Sequence, residues 1–177
     1  MHDADRLFRE HHAPLVRYLT RRLGDRDWAE EVAQETFLRA LRQEGLSNER
    51  AWLFAVATNL VRDGARQESR RRRHLELLRA EAEAVPQMVE SPDLAMERAE
   101  SAAAARRALE QLAERDREAL LMREEGLSYP EIAEALGVAV GSVGTTLARA
   151  RRRLVEAFES RRVGGLEGLR GNGERGR

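Results

Sequence analysis

LSYPEIAEALGVAVGSVGTTLARARRRL, residues 127–154, contains the clearest helical pattern in the C-terminal half of the chain. Ser128 is followed three residues later by Glu131, which is the pattern of a capping box, and Pro130 suits the first turn of that helix. Gly137 interrupts the helical pattern. A second apolar stripe then recurs at helical spacing, formed by Val143, Leu147, Ala150 and Leu154. Two short helices joined by a turn that contains glycine predict a helix-turn-helix.

The second predicted helix carries polar side chains away from its apolar stripe. Small hydroxyl groups come first and arginines follow, which suits a helix that enters a major groove and also meets phosphates. The candidate DNA-binding residues are Ser142, Thr145, Thr146, Arg149, Arg152 and Arg153. Two amphipathic helices with a glycine turn also occur in bundles that never bind DNA, and an arginine run is usually a solvated face. The residues alone leave both interpretations open.

Composition favours an all-α protein. Of the 177 residues, 42% are hydrophobic and only 5% aromatic, which fits thin cores of leucine and alanine better than a large sheet. The net charge is zero, yet basic residues cluster at 66–79 and 149–153, and for a nucleic-acid binder the distribution of charge matters more than its sum. The absence of cysteine excludes disulfides and thiolate metal sites. No long apolar segment or signal peptide is visible, so we expect a cytoplasmic protein without membrane insertion.

Two helices are predicted at the start of the chain. The first, which is one amphipathic helix or a helix pair ending at Gly24, has an apolar face made of Leu7, Phe8, Leu15, Val16, Leu19 and Leu23. The second has an expected N-cap at Asp27 and a buried face made of Val32, Ala33, Phe37, Ala40 and Leu41. Its opposite side carries Glu31, Gln34, Glu35 and Leu38. A polar helix face of that kind is normally exposed to solvent without a binding role. The alternative interpretation is that it binds a partner protein.

A third helix is predicted after a loop at residues 43–48. Its inward positions are Trp52, Leu53, Val56, Ala57 and Leu60. Its outward positions at i, i+3, i+4 and i+7 are Asn59, Arg62, Asp63 and Arg66. Amide, guanidinium and carboxylate groups together can contact bases and phosphates, but they can equally form a surface ion-pair ladder.

The predicted architecture is two small helical domains joined by a flexible linker. The first domain covers residues 1–75, and the linker covers 76–97, where prolines and acidic residues interrupt any sustained apolar stripe. The second domain covers residues 98–161. Residues 162–177 form a glycine-rich tail with little apolar content, which we expect to be disordered.

The order of these pieces resembles the extracytoplasmic-function (ECF) group of bacterial RNA polymerase sigma factors. AEEVAQETFLRAL (29–41) and AWLFAVATNLVRDGARQESRR (51–71) are similar to sigma region 2. GLSYPEIA (126–133) and LARAR (147–151) are similar to sigma region 4. The resemblance covers most of the chain, in the expected order and with a linker of plausible length.

The resemblance implies roles for each surface. Glu31, Gln34, Glu35 and Leu38 would bind the β′ coiled coil of RNA polymerase core, and region 4 would meet the β flap. The loop at 43–48, including Asn48, would hold the opened non-template strand of the −10 element together with Asn59, Arg62, Asp63 and Arg66. The helix over 142–154 would bind the −35 element as duplex. An anti-sigma protein is an expected partner, and no cofactor, metal or catalytic residue is expected.

Three positions depart from the family pattern. Gly144 stands where the family commonly has lysine, and Thr146 stands where it commonly has arginine. Ala139 replaces the more usual serine or proline before the second helix. These changes leave the −35 sequence, and the strength with which it is bound, open.

Other functions fit the sequence less well. A stand-alone helix-turn-helix regulator would not need the partner face at residues 31–38, and a sigma-like decoy for an anti-sigma protein would not need the arginines of the second helix. An enzyme is poorly supported, since His11 and His12 diverge on a helix and no phosphate-binding glycine loop or nucleophile elbow is present.

Overall fold

Helices make up all the regular structure in the part of the chain that the computed structural model describes, which is residues 4–43, 45–78 and 103–170. Side chains are described for residues 4–43, 45–64 and 103–159. The helices are α1 Ala4–Leu23, α2 Arg26–Ala40, α3 Glu49–Leu78, α4 over 103–110, α5 Glu114–Glu124, α6 Tyr129–Leu136 and α7 Val140–Arg170. The chain divides into two units, Met1–Ala95 and Met96–Arg177. The prediction of an all-α protein is confirmed.

The N-terminal unit packs α1, α2 and α3 against one another. Leu15 and Leu19 of α1 and Phe54 of α3 are fully buried. Inside this apolar core the hydroxyl groups of Tyr18 and Thr58 share a hydrogen bond of 2.7 Å, so neither polar group is buried without a partner. This bond fixes α1 and α3 in one register, which positions the outward face of α3.

Several details of the N-terminal unit differ from the prediction. Asp25, not Asp27, is the N-cap of α2, because its carboxylate accepts a hydrogen bond of 3.0 Å from the backbone N–H of Trp28. Phe8 and Leu41, which were predicted to be buried, are 46% and 54% exposed. Leu41 lies just past the end of α2, where it no longer points into the core.

The buried face of α3 is also rotated from the predicted one. Leu53 and Ala57 are buried as predicted, whereas Trp52, Val56 and Leu60 are only half-buried. The core positions that were missed are Ala51, Phe54, Thr58 and Val61. These four recur at i, i+3, i+7 and i+10, which is a helical face beside the predicted one.

The C-terminal unit builds its core from α5, α6 and α7. Ser128 and Glu131 form the predicted capping box: the Ser128 backbone N–H donates to the Glu131 carboxylate at 2.7 Å, and the Glu131 N–H donates to the Ser128 hydroxyl at 3.4 Å. Gly137 ends α6 with a φ of 63°, a left-handed conformation that favours glycine. Val143, Leu147 and Ala150 of α7 are buried, and Leu154 is half-buried, so the helix-turn-helix is confirmed.

The C-terminal end of the chain differs from the expected disordered tail. α7 continues to Arg170, which includes residues 162–170 of that tail, while residues 171–177 lie outside the described residues. The predicted linker also lies outside them, apart from the last turn of α3, which reaches Leu78. Within the described residues, none of the helices combines the length and apolar character that a membrane span requires.

Candidate nucleic-acid and polymerase-binding surfaces

The first turns of α7 present small, uncharged side chains. Residues 138–148 contain no charged residue, and Arg149 is the first. In this half of the helix Val140 is 50% exposed, and the Thr145 side chain is also exposed. A Cβ added at Gly144 would meet the ring of Tyr129 at 3.7 Å, an ordinary contact, so an alanine fits at this position without displacing the ring.

The hydroxyl groups of α7 already make hydrogen bonds within their own helix. Ser142 donates to the backbone oxygen of Ala139 at 2.7 Å, and Thr145 donates to that of Ser142 at 2.9 Å. Their oxygens can still accept hydrogen bonds. Thr146 is only 9% exposed, so the prediction that it lies on the face away from the apolar stripe is wrong. It follows the exposed Thr145 by one position and directly precedes the fully buried Leu147, so it lies on the buried side of the helix.

Arg149 is held by a buried carboxylate. Asp116, at the start of α5, accepts hydrogen bonds from two nitrogens of Arg149: Nε bonds Oδ2 at 2.8 Å, and Nη2 bonds Oδ1. The Asp116 side chain is 1% exposed, whereas that of Arg149 is 43% exposed. Such a two-point pair fixes the plane of the guanidinium as well as its position.

The pair perturbs the titration of both groups. The hydrogen bond from Arg149 is the largest cause that lowers the pKa of Asp116 below its ordinary value of 3.8, and the charges of Arg149 and Arg153 act in the same direction, while burial opposes them. The hydrogen bond to Asp116 raises the pKa of Arg149. Asp116 is therefore an ionised carboxylate inside the C-terminal unit at neutral pH.

The remaining arginines of the predicted set lie farther along α7. Nη1 of Arg153 lies 3.7 Å from the Asp116 carboxylate, and Nε of Arg152 lies 3.8 Å from Glu156. Both arginine side chains are well exposed, at 47% and 71%. Weak ion pairs at such positions contribute little to stability, so these guanidinium groups can exchange partners with a phosphate at small cost.

The four residues predicted to bind polymerase form one exposed face of α2. Glu31, Gln34, Glu35 and Leu38 recur at i, i+3, i+4 and i+7 and are all exposed. Leu38 is 46% exposed, and Glu35 pairs with Arg39 at 2.7 Å. We call these four residues the α2 face. It combines negative charge with an exposed apolar side chain, which suits a protein partner that is basic around an apolar contact.

The residues predicted to hold the −10 element are spread over the loop and α3. Asn48 is half-buried, and its side-chain oxygen accepts a hydrogen bond of 3.1 Å from the N–H of Ala51, so it caps α3. Asn59 and Asp63 are exposed, and Arg62 is half-buried. The side chain of Arg66 lies outside the described residues. The structure thus gives Asn48 a structural role that the sequence analysis had not assigned.

Comparison with known proteins decides the family. Residues 7–71 match the family described as sigma-70 region 2, and residues 102–154 match the one described as sigma-70, region 4. The RNA polymerase sigma-H factor of Pseudomonas aeruginosa is 32% identical over 165 residues, covering 88% of this chain and 86% of the relative. The chain belongs to the ECF sigma factors.

Further similar proteins agree with this assignment. The ECF RNA polymerase sigma factor SigE of Mycolicibacterium smegmatis is 33% identical over 85% of this chain, which spans 59% of that relative's length. The sigma factor RpoE of Bartonella quintana, solved in complex with the anti-sigma factor NepR, is 26% identical with a TM-score of 0.67, covering 90% of this chain and 98% of that one.

As an ECF sigma factor, the protein is a promoter-specificity subunit of RNA polymerase and not an enzyme. The match to region 2 argues against a stand-alone helix-turn-helix regulator, because such a regulator would not contain a sigma region 2. Region 2 precedes region 4 in the chain and a segment separates them, which is the order inferred from the sequence.

Sequence reasoning missed Asp116 in this sigma factor. A signal for it does exist, because Asp116 precedes Ala119 and Leu120 by three and four positions and so falls on the apolar face of α5. A carboxylate on an apolar face requires a partner, and the arginines of α7 were the available candidates. The partner itself could be identified only from the packing of α5 against α7.

Proposed function

We propose that this sigma factor binds the −35 element as duplex DNA through the exposed side of α7. The observation that carries the proposal is the confirmed helix-turn-helix, in which α7 begins with small uncharged residues and continues with exposed arginines. In this motif the start of the second helix contacts base edges and the flanking residues contact phosphates. Ser142 and Thr145 lie at the base-contacting end, and Arg149, Arg152 and Arg153 lie at the phosphate-contacting end.

In the same proposal the α2 face binds the β′ coiled coil of RNA polymerase core, and region 4 binds the β flap. The exposure of all four residues of the α2 face, with Leu38 among carboxylates, supports this role. The non-template strand of the −10 element is held by the loop before α3 and by the outward face of α3, which carries Asn59, Arg62, Asp63 and Arg66. Unstacking a base costs a few kcal/mol, which backbone contacts and a shaped pocket offset.

An anti-sigma protein is the proposed regulatory partner, and the cytoplasm is the proposed location. The similar RpoE was solved with the anti-sigma factor NepR, which supports a partner of the same kind for this chain. Transcription by RNA polymerase takes place in the bacterial cytoplasm, which supports the location.

Run-off transcription tests the function. The purified full chain is added to bacterial core polymerase that lacks sigma, on fragmented DNA from the source genome, and the RNA 5′ ends are mapped. We expect discrete start sites that appear only with the protein and share a −35 and a −10 sequence. If no start sites appear and the protein also fails to bind core polymerase, the proposed polymerase role is wrong, and a decoy for an anti-sigma protein becomes the better explanation.

A further inference from the structure

Asp116 lies outside every surface assigned so far, yet it holds Arg149, one of the residues proposed to contact DNA. It is buried in the C-terminal unit and sits on a different helix from the DNA-binding residues. Both of its oxygens take part in the contact: Oδ1 accepts from Nη2 of Arg149, and Oδ2 accepts from Nε. Two of the three guanidinium nitrogens are therefore occupied by one carboxylate.

The remaining nitrogen of Arg149 is Nη1, for which no bond to Asp116 is found. The Arg149 side chain is 43% exposed, so part of the guanidinium stays accessible on the surface of α7. A guanidinium whose one edge is bound by a carboxylate can still use another edge for a phosphate, because its five N–H groups lie in one fixed plane. The same free edge also fits a base, so the choice between the two rests on position. Arg149 lies nine residues after Val140, beyond the first turns of the helix that contact bases in this motif.

We infer that Asp116 is a positioning residue that holds Arg149 in place for a DNA phosphate, so that Arg149 orients α7 on the DNA without reading its sequence. This inference rests on the proposed binding of α7 to duplex DNA, and it adds a residue of α5 to the machinery that orients α7. A long arginine side chain normally loses rotamer freedom when it binds. Asp116 has already imposed that order in the free protein, which lowers the entropic cost of the phosphate contact.

The experiment measures binding of the full-length protein to a −35 duplex taken from a mapped start site and to a scrambled duplex. We expect Arg149→Ala to weaken both by the same factor, roughly three- to tenfold. The slope of log affinity against log salt should fall by about one, as for the loss of one phosphate contact. A loss confined to the −35 sequence would show base reading and overturn the inference.

A double-mutant cycle then tests the role of Asp116. We expect Asp116→Asn to weaken both duplexes by roughly two- to fivefold when Arg149 is present, and to have no effect in the Arg149→Ala background. Asp116→Glu should restore part of the affinity, because a carboxylate is present again. The matched control is Arg151→Ala, since Arg151 is an exposed arginine of the same helix. Asp116→Asn should reduce the affinity for DNA by the same factor in the Arg151→Ala background as in the unchanged protein.

Two readouts separate positioning from a purely structural role. Urea titration shows whether each variant is folded under the assay conditions, and the NMR signal of the Arg149 Nε–H should move in Asp116→Asn and return toward its position in Asp116→Glu. An equal loss of affinity with and without Arg149 would mean that Asp116 acts through the fold. A gain of affinity in Asp116→Asn would mean that the carboxylate withholds Arg149 from DNA. Failure of the unchanged protein to bind either duplex would instead reject the proposed function of α7.

Discussion

His11 is a titratable residue whose burial couples the N-terminal unit to pH. Its side chain is 16% exposed, and its Nε2 lies 3.9 Å from Glu10. Burial is the largest cause that lowers its pKa below the ordinary value of 6.5; the charges of Glu10 and Glu49 act upward, and those of Arg50 and Arg6 act downward. The folded state therefore disfavours the protonated imidazole.

The sign of the pH effect follows from that shift. Between the lowered pKa of the folded state and 6.5, the unfolded chain binds more protons, so the free energy of unfolding falls as pH decreases through this window. We expect urea titrations to show a loss of stability as the pH falls below about 6.5, and His11→Gln should reduce that loss. The control is His12→Gln, which removes a half-buried histidine whose Nε2 lies 3.2 Å from Glu30; an equal reduction in both variants would contradict the assignment to His11.

Asp116 shows how far single residues could be predicted from the sequence. Exposed positions such as Glu31 and Asn59 follow directly from helical periodicity, because a residue opposite an apolar stripe faces solvent. The partner of a buried charge depends on how two helices pack, and no local pattern encodes that distance. For the same reason the pairing of Arg149 was not foreseen, although its place on α7 was.

At the level of elements, α6 and α7 were predicted well because their ends carry strong local signals. A capping box, a proline in the first turn and a glycine at the end each restrict the backbone whatever the surroundings. α2 and α3 lack such clear signals. Asp25 and Asp27 are both suitable caps, and only the geometry shows that Asp25 accepts the bond. The apolar run in α3 is wide enough to fit two adjacent faces, and packing against α1 selects the one that contains Phe54.

The capping box gives a prediction for the stability of the helix-turn-helix. Ser128→Ala removes the acceptor of the Glu131 N–H, and the loss of such a cap costs about 1 kcal/mol. We expect urea titration of the full chain to show a fall of that size in the transition that belongs to the C-terminal unit. The transition can be assigned by following the NMR signal of Ile132, which is fully buried there.

Ser142→Ala is the matched control for the capping box. Ser142 is also a serine in the helix-turn-helix, but its hydroxyl bonds a carbonyl within its own turn, and alanine is a better helix former. Its effect on the free energy of unfolding should stay within about 0.5 kcal/mol. If the two serine variants lost stability equally, the capping box would not be the feature that holds the start of α6.

In the molecule as a whole, each of the two units has a proposed binding surface of its own. Each has its own core and its own exposed surface: the α2 face in the N-terminal unit, and the arginine-bearing side of α7 in the C-terminal unit. The net charge of zero conceals this division, because each unit contains nearly equal numbers of acidic residues and arginines and the two surfaces differ only in where those charges lie. Composition alone therefore said little about partners, whereas the position of each charge within its helix said more.

This division predicts that the two surfaces can be inactivated separately. Charge reversal of the α2 face, Glu31→Arg with Glu35→Arg, should weaken binding to core polymerase at least tenfold, since like charges placed at an interface cost several kcal/mol. Binding to the −35 duplex should stay unchanged, because α7 belongs to the other unit. Fluorescence anisotropy with labelled core polymerase and with labelled duplex measures both affinities on the same preparation.

The matched control places the same charge change on a different helix of the same unit. Asp5→Arg with Glu10→Arg alters two exposed acids of α1 and shifts the net charge by the same amount. If affinity for polymerase depended only on net charge, this variant and the α2 variant would lose it equally, and the α2 face would no longer be distinguished as the binding surface. If it depends on the α2 face, the α1 variant should keep most of its affinity, because long-range charge effects are screened beyond about 8 Å at physiological salt.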